Sequence, residues 1–280
     1  MTEKFWKAVW KKSRKSAGKD AGQNTEQELT STYIAIENFR CAANENSAHL
    51  RRLRNPGEKA LAGQGLVPTV VYYLVKYASK RHEVTILERD HGVMPREEII
   101  DGIRYFRIDA GKLPAAPYGL ISSFGGLVTL FKDALAVARK INRFVLKEEF
   151  DVVHFHFPFA SSIFVSFSRK LRKMSIYTAH VGEESKRFGF DSAPITLKIF
   201  SPDLYLMKRV RKSVVLNEPL KRKLIEKGIP EEKLEVIPNG VSVEDFELSK
   251  EEIERVREKY GLKGIVVMFA GTVTPRKGGF

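Results

Sequence analysis

Histidines that follow apolar runs are the residues of this sequence best placed to do chemistry. His154 and His156 close the run 151–156, and His180 closes the run 175–180 just before a glycine-containing loop. Open α/β sheets bind their ligands at the carboxyl ends of their strands, so we expect these histidines to line a ligand crevice. A histidine there can contact a substrate hydroxyl, which makes His180 our candidate catalytic residue.

Each of these histidines also has a simpler interpretation. The spacing of His154 and His156 permits a metal pair, but no third ligand is evident, so we predict that they form the crevice wall and hold no metal. For His180 the alternative is a core histidine with satisfied hydrogen bonds.

Glycines and basic side chains mark two further loops where an anion could bind. Gly63 and Gly65 precede a predicted helix, whose free backbone N–H groups would attract a phosphate. The segment 271–278 follows an apolar run and carries Arg276 and Lys277, which suit a diphosphate. The glycine pair falls short of the dinucleotide-binding fingerprint, and simple surface charge is the alternative for the two cations.

The apolar periodicity predicts the elements that would position these residues. Strands are predicted at 33–39, 82–87, 102–109, 151–156, 175–180, 213–216, 234–237 and 264–270. Helices are predicted at 67–80, 127–147, 161–173, 195–211, 218–227 and 249–261, the last with a capping box of Ser249 and Glu252 and an end at Gly261. Strands that alternate with such helices form βαβ units, so we predict an α/β protein with a doubly wound, Rossmann-like parallel sheet.

Composition limits the compartment and the partners. The net charge of +14 favours acidic partners such as phosphates or an anionic membrane. Runs of lysine and arginine also permit nucleic acid, but no aromatic and basic platform for base stacking is evident, so nucleic acid is not expected. The single cysteine, Cys41, excludes an internal disulfide framework, and no apolar segment follows the basic start as in a signal peptide. These features favour the cytoplasm.

Taken together, the motifs resemble the glycosyltransferases of family 4, which have the GT-B fold. The match to the family's N-terminal half rests on the segments 65–76, 82–87, 151–154 and 236–241 and on the histidine at position 180. Its second half opens with a strand and a glycine, followed by a Lys-Gly pair, and Gly271 and Lys277 fit these positions. The resemblance covers residues 63–280, is weak at 33–39 and is absent from 1–32.

The resemblance implies transfer of a sugar from a nucleotide sugar to an acceptor, with retention at the anomeric carbon and without a cofactor or an obligatory metal. Lys277 would hold the donor diphosphate together with Gly63, Gly65, Gly271 and Arg276, and His180 would lie near the sugar or the acceptor hydroxyl. The N-terminal half would bind the acceptor, either lipid-linked or a polysaccharide. Its basic helices would suit peripheral contact with the inner face of an anionic membrane.

Departures from the family pattern bear on activity. Thr272, counted among the donor-binding positions, stands where the family has an arginine, and Ser242 stands where an aspartate is frequent. Only seventeen residues follow from Gly264 onward, whereas one βαβ unit takes about thirty. We therefore expect a basic extension at 1–32, an acceptor-side domain at 33–245, and a linker helix with the first strand of an incomplete, truncated donor domain at 246–280. Such a chain would be weak or inactive alone, and the alternative is a non-catalytic module that binds an anionic lipid or a partner subunit.

Overall fold

Eight strands of the chain form one sheet. The computed structural model describes residues 32–36, 66–90, 94–109, 124–156, 158, 163–180, 201–240 and 247–268. The strands are β1 (Thr32–Ile36), β2 (Glu83–Arg89), β3 (Glu97–Ile100), β4 (Ile103–Ile108), β5 (Val152–Phe155), β6 (Ser175–Thr178), β7 (Lys212–Val215) and β8 (Leu234–Val236). The helices are α1 (Leu66–Ala78), α2 (Phe124–Glu148), α3 (Arg169–Met174), α4 (Pro202–Arg209), α5 (Glu218–Glu226) and α6 (Lys250–Tyr260), with a short 3-10 turn at Glu231–Lys233.

The chain divides into two units, Met1–Asn239 and Gly240–Phe280, and the sheet belongs to the first. Its strand order is β3-β4-β2-β1-β5-β6-β7-β8. β1 pairs in parallel with β2 on one side and with β5 on the other, so the order of the strands reverses at β1. This reversal is the topological switch point at which doubly wound sheets bind ligands. The predicted fold class is confirmed.

Helices cover both faces of the sheet. Successive strand residues point to opposite sides, so the continuous apolar strands place apolar side chains on both faces. On one face, α1 buries the side chains that the periodicity indicated, Val71, Leu74, Val75 and Ala78, against Val152 and its neighbours. On the other face, the adjacent Val153 packs in a larger cluster that includes residues of α2, α4 and α5. Near-continuous apolar strands such as β5 are the expected product of this two-sided burial.

An antiparallel hairpin at one sheet edge was not predicted. β3 pairs with β4 through a tight turn in which Asp101 and Gly102 have positive φ values of 52° and 75°, the conformation that hairpin turns of the type I′ class require. The acidic start of β3 hid its strand character from the apolar pattern. The sheet is therefore parallel except for this edge pair among the described strands.

A buried arginine ties this edge together. Arg107 of β4 is only 2% exposed, and its Nε lies 2.7 Å from Glu88 Oε1 of β2. Its two Nη groups donate to Glu98 of β3 and to the backbone carbonyl of Pro95. One guanidinium thus connects three neighbouring strands, and its charge is balanced by carboxylates within the protein.

Two helices differ from the predicted bounds. The predicted helix 161–173 is interrupted before α3, where Ser168 Oγ accepts a hydrogen bond from Leu171 N at 3.2 Å and acts as the N-cap. Within the described part of the predicted helix 195–211, α4 begins only at Pro202, after the N-cap Ser201. Both helices begin after a serine whose side chain accepts a backbone hydrogen bond of the first turn. At α4, Pro202 also lacks the N–H that a continuing helix needs.

The second unit confirms one prediction and contradicts another. The capping box of Ser249 and Glu252 starts α6, and Gly261 ends it with a left-handed φ of 61°. The predicted buried strand at 264–270 is wrong where it is described: Ile265 and Val267 are 96% and 93% exposed and not in a strand. A strand needs neighbours that satisfy its backbone hydrogen bonds, and the described residues of this unit include no other strand.

Candidate functional site

The sheet brings three histidines together at the carboxyl ends of two neighbouring strands. His154 lies in β5 and His156 follows it directly, while His180 lies just beyond β6. β5 and β6 pair in parallel from Val153 and Ser175 onward, so both strands end at the same edge. Because β5 also pairs with β1, this edge adjoins the switch point of the sheet.

The three imidazole rings form a row from the core toward the surface. His154 Nε2 lies 2.7 Å from Thr178 Oγ1, and His156 Nδ1 lies 2.7 Å from His180 Nε2. Ring centroids are 4.2 Å apart between His154 and His156 and 5.0 Å apart between His156 and His180. His154 and His156 are 0% and 1% exposed, whereas His180 is partly exposed. Among these three rings, His180 is therefore the one that a ligand in solution could reach.

Burial keeps the two inner rings neutral. It lowers the pKa of His154 to about 3, with a smaller contribution from His180. It also lowers the pKa of His156 well below its ordinary value, helped by repulsion from His154 and then from His180. Both rings therefore act at neutral pH as hydrogen-bonding groups rather than as cations.

The arrangement of the cluster does not have the form of a metal site. No group of three or more His, Cys, Asp or Glu side chains is placed to hold a metal ion in the part of the chain that the structure describes. Two ring nitrogens, on His156 and His180, instead face each other across a hydrogen bond.

The other predicted site residues lie outside the described ranges. They are Gly63, Gly65, Gly271, Thr272, Arg276 and Lys277. Their contacts with a donor diphosphate stay predictions, and the described portion of the site is the histidine row.

Sequence reasoning missed two residues that hold the row in place. Thr178 is hydrogen-bonded to His154, and Tyr177 donates its phenolic hydroxyl to the buried carboxylate of Asp203 in α4. The second bond anchors β6 to a helix on the sheet's face. For Thr178 the available signal was a polar threonine inside an otherwise apolar strand. The bond between Tyr177 and Asp203 gave no such signal, because these residues are 26 positions apart.

Comparison with known proteins finds a family and a relative that match this chain. The model of Glycosyltransferase Family 4 matches residues 67–245. The alpha-galactosylglucosyldiacylglycerol synthase of Streptococcus pneumoniae is 32% identical over 175 residues, which are 58% of this chain and 44% of the synthase.

Solved structures are similar over most of the chain at low identity. Sucrose-phosphate synthase from Thermosynechococcus elongatus has a TM-score of 0.53 at 12% identity over 83% of this chain and 53% of its own. A glycosyltransferase from Rickettsia africae has a TM-score of 0.46 at 17% identity over 85% of this chain and 51% of its own. The chain thus spans about half the length of these relatives. Since the family model covers more than half of the sequence, the chain belongs to glycosyltransferase family 4, and its first unit has the Rossmann-like sheet of the GT-B fold.

Proposed function

We propose that this chain provides the acceptor-side half of a glycosyltransferase that moves a hexose from a nucleotide sugar to an acceptor hydroxyl, with retention at the anomeric carbon. The observation that carries the proposal is the histidine row at the switch point, with the partly exposed His180 at its outer end. Membership in the family supports the reaction class. The use of a nucleotide sugar and retention at the anomeric carbon are what the resemblance to this family implies.

In this proposal His180 contacts the transferred sugar or the attacking hydroxyl. Negative charge grows on the departing diphosphate, and stabilising it is the largest task of such a site. Gly63 and Gly65 would approach that diphosphate through their backbone, while Lys277 and Arg276 would supply positive charge. The reaction then needs no cofactor beyond the donor substrate.

The proposed acceptor is lipid-linked. The relative from Streptococcus pneumoniae is named for the synthesis of a glycosylated diacylglycerol, and this supports a glycolipid acceptor over a polysaccharide. The excess of basic residues would attract an anionic lipid surface. On the basis of this charge we propose peripheral contact with the inner face of the membrane. Among the described residues, no helix is long and apolar enough to cross a bilayer.

The reaction can be tested with and without a donor-side domain. The 280-residue chain is expected to form no steady product from radiolabelled UDP- or GDP-sugars and a diacylglycerol-linked acceptor, because its second unit has no described strand with which to build a nucleotide-binding sheet. Fusion to the donor-side part of the Streptococcus pneumoniae synthase should produce turnover. His180→Ala in that fusion should reduce turnover by about a hundredfold or more.

Each outcome of this assay is informative. Steady product from the isolated chain would refute the need for a donor-side domain. A folded fusion that transfers no sugar would contradict the acceptor-side role and favour the non-catalytic binding module.

Membrane contact can be tested at the first half of α2. There Phe124 and Phe131 are 83% and 59% exposed and lie on one face of the helix, with Val128 between them. Lys132 follows Phe131 directly. An apolar stripe beside a cation suits an anionic lipid surface. The double variant Phe124→Ser/Phe131→Ser should lower partitioning onto phosphatidylglycerol vesicles at least about tenfold, given the 1.5–3 kcal/mol typical of a buried phenylalanine.

The matched control is Ile99→Ser, which removes an exposed apolar side chain from the edge strand β3. Its partitioning in co-sedimentation should equal that of the unchanged protein. Equal losses in both variants would show that α2 has no special role.

A further inference from the structure

We propose that His156 is a positioning residue: it donates its Nδ1–H to His180 Nε2 and so holds His180 in the tautomer that carries its proton on Nδ1. His180 then offers an N–H group to a substrate oxygen and does not act as a base through Nε2. The inference deepens the proposed function and rests on it for the identity of the substrate, but not for the protonation state itself.

The first step is the short separation of two ring nitrogens. His156 Nδ1 and His180 Nε2 are 2.7 Å apart, within hydrogen-bond range. A neutral imidazole has one donor nitrogen and one acceptor nitrogen, so a single proton lies between the rings. Either His156 donates to His180 or His180 donates to His156.

The second step decides between these arrangements. His156 Nε2 is buried and has no hydrogen-bond partner among the described residues. If His180 were the donor, the proton of His156 would have to sit on Nε2, as a buried N–H group without an acceptor. Orphaned buried N–H groups are rare in native proteins because they lose their hydration and gain nothing in return. The arrangement in which His156 Nδ1 donates avoids this cost.

The third step excludes a doubly protonated His156. Its ring is 1% exposed and lies between the rings of His154 and His180, so a positive charge there would be desolvated and would have no described counter-charge. The other titratable neighbour, His154, is itself buried and hydrogen-bonded to Thr178. A neutral His156 that donates through Nδ1 is the consistent state.

The consequence reaches the exposed end of the row. His180 accepts at Nε2, so in its neutral form its own proton is on Nδ1. A fixed N–H donor can hold a sugar or acceptor hydroxyl in one orientation, and pre-oriented donors are effective because they need no rearrangement during the reaction. The buried pair of rings behind His180 thus determines which chemical group it presents.

The test is nuclear magnetic resonance on the 280-residue protein with ¹⁵N-labelled histidine. Long-range ¹H–¹⁵N correlations at pH 7.5 report which ring nitrogen carries the proton, and single substitutions assign the signals. We expect His156 and His180 both to carry it on Nδ1. A proton on Nε2 of either ring would overturn the inference.

Two variants at position 156 test the positioning role. His156→Asn keeps an amide donor near the place of Nδ1, and His180 should retain its Nδ1–H tautomer. His156→Leu removes the donor, and a substantial fraction of His180 should change to the Nε2–H tautomer. A His180 that stays wholly in the Nδ1–H form beside leucine would overturn the proposal, and the asparagine variant supplies the folded comparison if leucine is not accommodated.

Thr178→Val is the matched control, since it removes the partner of His154 and leaves the pair of His156 and His180 untouched. The tautomer of His180 should not change in it. Because these spectra need neither sugar nor turnover, failure of this inference and failure of the transferase assay can be told apart.

Discussion

Replacing Arg107 with leucine is expected to lower the free energy of unfolding by about 3–5 kcal/mol, the usual cost of removing one partner from a buried ionic network. The guanidinium of Arg107 is 2% exposed and contacts Glu88 and Glu98 on the two neighbouring strands. Without it, the largely buried carboxylates of Glu88 and Glu98 would lose the positive charge that both of them contact. Urea unfolding followed by circular dichroism measures the difference.

Lys140→Leu is the matched control. Lys140 pairs with Asp109 at 3.0 Å, but both side chains are exposed, so its loss should cost less than about 1 kcal/mol. If the two variants lost equal stability, the buried network would not be a major support of this sheet edge. The triple variant Arg107→Leu/Glu88→Leu/Glu98→Leu should recover part of the loss, because the uncompensated charges are then also removed.

Acidification is expected to destabilise the first unit strongly because of its buried histidines. The pKa of His154 is about 3 in the folded protein against an ordinary 6.5, so between these values the unfolded chain binds a proton that the folded chain does not. Stability is therefore fully present above about pH 6.5 and falls as the pH drops toward 3. At pH 5 the loss should be about 2 kcal/mol for this histidine, at 1.36 kcal/mol for each pH unit below 6.5.

His156 has its pKa shifted in the same direction and should add a loss of similar sign. His154→Gln, which keeps an amide near the place of Nε2, should flatten the dependence of unfolding free energy on pH between 7 and 5. His82→Gln serves as the comparison, because His82 is only partly buried, with a pKa lowered by burial and by Arg81. Stability that stays constant from pH 7 to 5, or an unchanged slope in His154→Gln, would contradict this account.

Local patterns were enough to predict most of the sheet. The face of α1 could be predicted because Val71, Leu74, Val75 and Ala78 recur at helical spacing. Runs such as β5, buried on both sides, are recognisable by continuous apolarity. The order of strands and helices then followed from the rule that parallel strands need crossover helices.

The failures involve pairing between strands, which the pattern within one segment does not show. β3 reads Glu-Glu-Ile-Ile, with no alternation, and its strand is defined by pairing with β4 and by the contact of Glu98 with Arg107. The segment 264–268 has the opposite problem, since its apolar composition suits a strand but no described neighbour in its unit pairs with it. β-propensity shows only that a segment can adopt a strand, and whether it does so depends on a neighbouring strand with which it can pair.

The sequence predicted where the histidines lie, but not which side chains they are hydrogen-bonded to. Strand ends placed His154, His156 and His180 at one edge, and the structure brings them together there. That His156 meets His180 while His154 meets Thr178 depends on the register between β5 and β6. Register is fixed by packing of both strands against the helices, which no single strand encodes.

The edges of the sheet also influence how the protein can associate. β3 has four residues and β8 has three, and Pro238, which has no N–H group, follows two positions after β8. Short edges of this kind are poor templates for an added strand, and an edge with glutamates resists stacking of like chains. Fibre-like growth by strand addition and capture of extended peptides are both disfavoured. We therefore expect this unit to recognise its partners through helix faces and through the loops at the strand ends.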